Sequence, residues 1–401
     1  MTIYLNELGL VCALGSDKKT VLANFLSGES CFMKADDSFG VETVMGRVTS
    51  PLTDLQSHGE YLNSRNNQLA LFAFEQVAIK VAELKSILSK TKSSDVNIAV
   101  VIGTSTSGIA SGEASMQEYL ATGEHKQDYH YAMQEMGATA DFIAKLVGAN
   151  ASVYSISTAC TSSAKALISG QRLLDSGLAD IVIAGGVDSL CKMTINGFSA
   201  LESISPKHTQ PFQAQRCGIN IGEGAALFVM SKLPSDVTLM GFGESSDAHH
   251  ISAPDPEGKG AIQAMTAALA RANLSAEEIN YINLHGTGTV QNDAMEAKAV
   301  AKVFKQLTPC SASKQLHGHC LGAAGAIEAG LCWLLLSELN QENYYPKMNI
   351  TGEIDTSLDE INLITSSLQL KHKPAPALRY CMSNSYAFGG NNASLVLSRA
   401  N

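Results

Sequence analysis

The chain has 401 residues, 45% of them hydrophobic, with 33 glycines and only 10 prolines; this excludes a disordered or fibrous protein and suffices for two domains or one large α/β unit. Its 28 basic and 38 acidic residues leave a net charge of −10 with no block of like charge, which argues against nucleic acid as a partner. The 9 cysteines include no C-x-x-C pair, an arrangement that speaks against a disulfide framework or a structural zinc site and leaves most of them as small buried hydrophobes.

The start, MTIYLNELGLV, lacks the basic segment, long apolar run and cleavage site of a signal peptide, so a cytoplasmic protein is expected. Residues 66 to 88, NNQLALFAFEQVAIKVAELKSIL, form an amphipathic helical stretch. NIAVVIGTSTSG (97 to 108) and SVYSISTAC (152 to 160) read as strands that run into turns of small residues. After the second comes Cys160, and the Ala-, Lys- and Leu-bearing run from Thr161 to Leu174 reads as a helix. Cys160 therefore stands at or near a helix N-terminus, where free amides and the positive dipole end stabilise a thiolate and can hold a developing oxyanion.

DIVIAGGVDS (180 to 189) and AALFVMSKL (225 to 233) are further strands, AIQAMTAALARANL (261 to 274) is a helix, and YINLHGTGT (281 to 289) returns to a strand. This alternation predicts an α/β fold with largely buried sheets. His285 ends the last of these strands in a glycine-rich turn, an echo of Cys160 about 125 residues earlier, so a duplicated architecture with halves meeting near 235 to 250 is expected. In SASKQLHGHCLGAAGAIEAG (311 to 330), His317 and His319 stand two apart, an arrangement that on a strand would face both to one side and suggest a metal site. No acid lies nearby on the N-terminal side, and the glycine-rich helix start that follows points to anion or thioester contact instead. Lys314 and Glu328 flank this run and read either as a solvated pair or, if buried, as groups that tune the histidines. AGLCWLLL (329 to 336) is too short to span a bilayer and reads as a buried helix. Near the end, SNSYAFGGNNASLVL (383 to 397) sets Phe388 before Gly389 and Gly390, either a plain turn or an aromatic gate. From the residues alone, Cys160 with strand-end histidines supports acyl transfer through a thiolate.

In order along the chain, STACTSSAKAL, GGVDS, PFQAQRCGINIGEGAA, SSDAHHISAPDPEG, YINLHGTGTVQNDAMEA, SKQLHGHCLGAAGAIEA and SNSYAFGGNNASL resemble the signatures of the β-ketoacyl-acyl carrier protein synthases of the type I/II kind, which have the thiolase fold. The resemblance covers essentially the whole chain. It implies two pseudo-duplicated halves in an αβαβα layering, an N-terminal half over 1–240 with the nucleophile and a C-terminal half over 241–401 with a histidine pair. Carried over, Cys160 matches the acylated nucleophile, His285 and His319 the pair that promotes decarboxylation, and Lys314 and Glu328 their charged supports. Phe388 matches a gating aromatic whose amide joins that of Cys160 in an oxyanion hole, and Thr287, Thr289, Gly389 and Gly390 match substrate contacts. His317 matches no role. No cofactor and no metal are implied.

The implied reaction is decarboxylative condensation of malonyl-acyl carrier protein with a Cys160-bound acyl chain. The implied partners are acyl- and malonyl-loaded carrier protein and a second synthase-like subunit, in a homodimer or a heterodimer. A degradative thiolase would want a second cysteine near the C-terminal glycines, and a chain-length-setting subunit would lack the nucleophile. Departures from the family pattern stand at Ala387, Asn391, Val290, Gln213 and the run 103 to 108, and around Arg65 there is a single arginine where relatives cluster cations for the carrier protein. These favour a specialised synthase, of the aryl-polyene or polyketide kind, over one for housekeeping fatty acid elongation.

Overall fold

The computed structural model describes residues 2–29, 31–56, 59, 62–365 and 378–400. Its strands, in chain order, are β1 (Ile3–Cys12), β2 (Lys34–Asp36), β3 (Thr43–Met45), β4 (Ile98–Gly103), β5 (Val153–Ile156), β6 (Ile181–Asp188), β7 (Gly224–Ser231), β8 (Val237–Ser246), β9 (Tyr281–Leu284), β10 (Cys310–Ala312), β11 (Tyr380–Tyr386) and β12 (Asn391–Arg399). Among the described residues, β2 and β3 form a small hairpin, and the other ten strands join in one mixed sheet ordered β10-β9-β11-β12-β8-β1-β7-β6-β4-β5.

That order contains a repeat. On one side β5-β4-β6-β7-β1 and on the other β10-β9-β11-β12-β8 each run third, second, fourth, fifth, first of their own five strands. The pairings match as well. β4 is parallel to β5 and β6, and β9 to β10 and β11, while the remaining pairs within each set are antiparallel. A short ladder, Ile3 opposite Leu239 and Tyr4 opposite Thr238, joins the two sets. The strand equivalent to β5 is β10, which leads to His319, whereas β9, which leads to His285, is equivalent to β4. The echo between Cys160 and His285 thus joins non-equivalent strands.

The helices that follow β5 and β10, Ser162–Asp175 and Ala324–Leu336, form the middle layer. Alternation along the strands explains why: Ala99, Val101, Val182, Ala184, Cys381 and Leu397 face this inner core, while Ile98, Val100, Ile181 and Ile183 face an outer helical layer, as Ile282, Met382 and Val396 do on the opposite side. Every residue of Ala324–Leu336 is buried, each large apolar side chain contributing about 1.5–3 kcal/mol. The layers are therefore αβαβα. Small residues let the middle helices approach each other; a Cβ added at Gly325 would meet Ala164 N at 2.8 Å.

The stretch read as one amphipathic helix over 66 to 88 is two, Arg65–Glu75 and Ala78–Thr91. Among the described residues, no helix is long and apolar enough to cross a membrane.

Candidate active site

Cys160 follows β5 on a strained turn. Ala159 has φ of 51°, a left-handed conformation that non-glycine residues seldom adopt outside constrained sites. The turn is fixed by Thr158 N donating to Ser162 Oγ at 2.9 Å and by Ser162 Oγ donating to Ala159 O at 2.6 Å. Helix Ser162–Asp175 begins two residues on, without a side-chain cap, and aims its N-terminal end at the thiol.

His285 ends β9. Its amide and that of Gly286 donate to the two carboxylate oxygens of Glu296, each at 2.7 Å, so the second turn of helix Val290–Phe304 orients the strand end. His319 is held by its own backbone: its N–H donates to Asn220 O at 2.7 Å and its carbonyl accepts from Gly222 N at 3.1 Å. This explains why the segment around Asn220 to Gly222 belongs to the site.

Three groups now converge. His319 Nε2 lies 3.0 Å from Cys160 Sγ, the rings of His285 and His319 meet edge to face at 5.4 Å, and the sulfur and one nitrogen of each ring lie within 4.8 Å of one another. The surroundings fix both tautomers. Leu321 N donates to His319 Nδ1 at 3.1 Å, so that nitrogen carries a lone pair and Nε2 carries the proton. The Lys314 ammonium, which can only donate, reaches His285 Nδ1 at 3.1 Å and His285 O at 2.6 Å, so His285 too is protonated at Nε2. Burial, then the Lys314 charge, then the other histidine hold His285 well below the usual histidine range. Burial, Lys314 and His317 do the same for His319. Both rings are neutral donors facing the sulfur. A zinc ion could reach the same three atoms, but each inward nitrogen would have to surrender its proton and the hydrogen bond at Nδ1, so the set suits an oxygen acceptor better than a metal.

Lys314 and Glu328 are a buried ion pair, 1% and 0% exposed, not a solvated one, because the helix bearing Glu328 is the middle layer. Burial pushes the Glu328 carboxyl up to about 7 against the pull of Lys314. Helix-end donors are expected to favour the Cys160 thiolate, and the backbone amides of Phe388 and of Cys160 itself do pull the thiol down. Burial outweighs them, with Lys314 opposing and Glu328 reinforcing it, and the thiol is pushed up to about 11.

A cavity of about 480 Å³ opens onto Cys160, His285 and His319, with Thr287, Thr289 and Phe388 in its wall. The Thr287 and Thr289 hydroxyls hydrogen-bond to each other at 3.0 Å. The Phe388 ring packs on Phe198 at 5.5 Å, and Gly389 and Gly390, with φ of 84° and 78°, form a bend that a side chain would strain. Those two glycines shape the loop beside the cavity rather than its wall. His317 lies elsewhere. It sits in the one-turn helix Lys314–His317, its Nε2 is 3.1 Å from Ser313 Oγ, and burial pushes it down to about 3. The expectation that His317 and His319 share a strand face fails because Gly318, at φ of 79°, turns the chain between them.

Glu296, pushed up to about 8 by burial, was not singled out by sequence, nor was Asp188. The Asp188 carboxylate accepts from the hydroxyls of Thr104 and Thr106 and from the amides of Ser105, Thr106 and Ala323. It thereby ties the turn after β4 to the segment after His319. The available signal for Asp188 was an acid at the end of an apolar strand, whereas Glu296 stands in the second turn of a helix and carries no such signal. Arg65 makes a two-pronged pair with buried Glu223, at 2.6 and 2.9 Å, so it is a structural residue.

Family models place the chain. Residues 8–235 match the N-terminal domain of β-ketoacyl synthases and 237–348 the C-terminal domain. The chain belongs to the β-ketoacyl synthase family. The structure of a ketosynthase, ApeO, in complex with its chain length factor, ApeC, from Xenorhabdus doucetiae is 41% identical, with a TM-score of 0.90 over 100% of this chain and 98% of that one. Nodulation protein E of Rhizobium meliloti (strain 1021) is 28% identical over 412 residues, 99% of each chain, and 3-oxoacyl-[acyl-carrier-protein] synthase 2 of that organism is 34% identical over 276 residues, 64% of this chain and 62% of the relative. This synthase is therefore a condensing acyltransferase with the thiolase fold.

Proposed function

We propose that this synthase condenses malonyl-acyl carrier protein with an acyl chain carried on Cys160, in a specialised pathway of the aryl-polyene or polyketide kind. The observation that carries the reading is the convergence of two neutral Nε2–H groups, from His285 and His319, on the space beside the Cys160 thiol.

The steps follow from those atoms. Cys160 sulfur attacks the acyl thioester carbonyl, and the oxyanion is held by the amides of Cys160 and Phe388. The bond to the carrier's sulfur breaks, the proton lost from Cys160 goes to that departing thiolate, and the acyl group stays on Cys160. The malonyl thioester oxygen then takes the two histidine protons as hydrogen bonds. The malonyl C–C bond breaks, carbon dioxide leaves, and the electron pair forms an enolate. Two neutral donors stabilise it without adding a full charge. The enolate carbon attacks the acyl-cysteine, a C–C bond forms, the acyl–sulfur bond breaks, and Cys160 returns as a thiolate. In this scheme Lys314, neutralised by Glu328, pins the His285 tautomer, while Thr287 and Thr289 line the path of the thioester arm.

The pathway class rests on the ApeO likeness, and so does a heterodimer with a chain-length-factor-like subunit. Supporting a partner, the edge strand β5 is paired only with β4 among the described residues, and Met116, Leu120 and Tyr131 are exposed at 50%, 78% and 64%. A cytoplasmic location is supported by nine cysteines that are all free. The duplication divides between β7 and β8, just before the 240/241 boundary of the sequence reading, which falls inside β8.

The test is reconstitution with acyl- and malonyl-loaded carrier protein, with and without a candidate partner, read by intact mass. Cys160→Ala should abolish the acyl adduct and leave malonyl decarboxylation. An adduct at wild-type level in that variant would remove Cys160 from the reaction.

A further inference from the structure

Lys165 stands on the helix that carries the nucleophile, five residues beyond Cys160. It is half-buried, and its Nζ donates to Asn391 Oδ1 at 2.7 Å. A lysine partly withdrawn from water is costly unless its charge is used. The neighbouring Arg172 and Glu244 pair with each other, and the Lys165 ammonium is directed instead to a neutral amide on another element.

Asn391 is the residue at which the loop after β11 enters β12. Its carbonyl accepts from Ala387 N at 2.8 Å, and Gly390 N donates to Ala387 O at 3.0 Å, so Ala387 to Asn391 is a closed loop with Phe388 at its tip. Further bonds tie the loop and the start of β12 to the segment after β8. Gly389 N donates to Ile251 O at 2.8 Å, Asp247 N to Gly390 O at 2.8 Å, and Asn392 Nδ2 to Asp247 Oδ1 at 2.7 Å. The Lys165 bond links this loop directly to the helix of Cys160.

We infer that Lys165, through Asn391, is a positioning residue that holds the Phe388 loop in register with Cys160, so that the Phe388 amide meets the acyl oxyanion. The inference rests on the oxyanion role proposed above for that amide. Decarboxylation uses the histidine protons and not the Phe388 amide, so the tether bears on one half-reaction only.

Full-length Lys165→Met, Asn391→Ala and Lys165→Arg enzymes would be assayed for acyl transfer to Cys160 and, separately, for carbon dioxide release from malonyl-carrier protein. Loss of an oxyanion donor costs about 10²–10³-fold, and displacing one should slow acyl transfer about tenfold in the Met and Ala variants. Decarboxylation should stay within about twofold, and Lys165→Arg should restore most of the transfer. Transfer unchanged in both variants, both half-reactions falling together, or no rescue by arginine would each overturn the tether. If Lys165→Met fails to fold, Asn391→Ala carries the comparison. A wild-type enzyme without acyl transfer would instead overturn the reading beneath it.

Discussion

Replacing Lys314 with methionine separates what the buried cation does for the fold from what it does for the chemistry. Lys314 and Glu328 are both buried, and Nζ also reaches His285 O and Nδ1. Breaking a buried pair from one side costs about 3–5 kcal/mol. Glu328, already pushed up to about 7, can relieve its charge by taking a proton, so the lower end of that range is expected. The chemical loss is of another kind. Without a donor at Nδ1, nothing obliges His285 to keep its proton on Nε2, and one of two enolate donors is lost, worth about 10²-fold in decarboxylation. Lys314→Met/Glu328→Leu removes both charges, and its stability should recover to within about 1–2 kcal/mol of wild type, while decarboxylation stays low because the methionine at 314 cannot donate to His285 Nδ1. Denaturant unfolding and carbon dioxide release, measured on the same preparations, test this. Decarboxylation within about threefold of wild type in Lys314→Met, or recovered by the double variant, would refute the tautomer argument.

Because burial holds the Cys160 thiol up at about 11, its alkylation by iodoacetamide should rise about tenfold per pH unit from pH 7 to 10; a plateau below pH 9, followed by peptide mapping against exposed Cys31 and Cys217, would show a thiolate at rest. Arg65→Ala leaves the Glu223 carboxylate buried with, among the described residues, only the Val48 amide as a remaining donor, so unfolding should become easier by about 2–4 kcal/mol with kcat/KM for carrier substrates nearly unchanged. A large rise in carrier KM at wild-type stability would instead place Arg65 in the docking surface. His317, pushed down to about 3 by burial, binds its proton less readily folded than unfolded. It therefore adds stability that is present above pH 6.5 and is lost at about 1.4 kcal/mol per unit as the pH falls toward 3. His317→Asn should flatten that acid limb, and an unaltered slope would contradict it.

The parts of the site legible in sequence are those where one residue sits at the end of one local element. Cys160 and His285 each close a strand in a small-residue turn, and no long-range information is needed to see that they are presented rather than packed. Lys314 and Glu328 were ambiguous for the opposite reason. Their spacing suits a surface pair, and only the sandwiching of Ala324–Leu336 between the two strand sets buries them. His317 and His319 look equivalent until the backbone at Gly318 is known. Asp188 closes strand β6 and Glu296 lies within a helix, ordinary positions for an acid in the sequence; what distinguishes them is the amides they accept from, Ala323 far along the chain for Asp188 and His285 and Gly286 across a turn for Glu296. The joining of the strand sets through β1 and β8 is likewise nonlocal. The helix break at Gln76 and Val77 carries no glycine or proline to announce it.

A thiol at about 11 beside two neutral imidazoles would be a poor arrangement for a hydrolase, whose nucleophile needs a general base. Here neither ring offers one: each Nδ1 lone pair is occupied, by Leu321 N or by Lys314, and each Nε2 already holds a proton. On the proposed mechanism what remains is donation alone, from His285 and His319 toward one oxygen and from the Cys160 and Phe388 amides toward another. An enolate and a thioester oxyanion are the two anions that condensation creates, and the roles proposed above give each its own donor pair. The absence of a base at either ring also denies water the activation it would need to cleave the acyl-cysteine. On that mechanism the thiolate released at the end of condensation is stabilised by the same amides that are proposed to hold the oxyanion. Acyl transfer to Cys160 should therefore be slow relative to decarboxylation on an enzyme not yet acylated, and the two rates, measured separately in single-turnover experiments, order the steps.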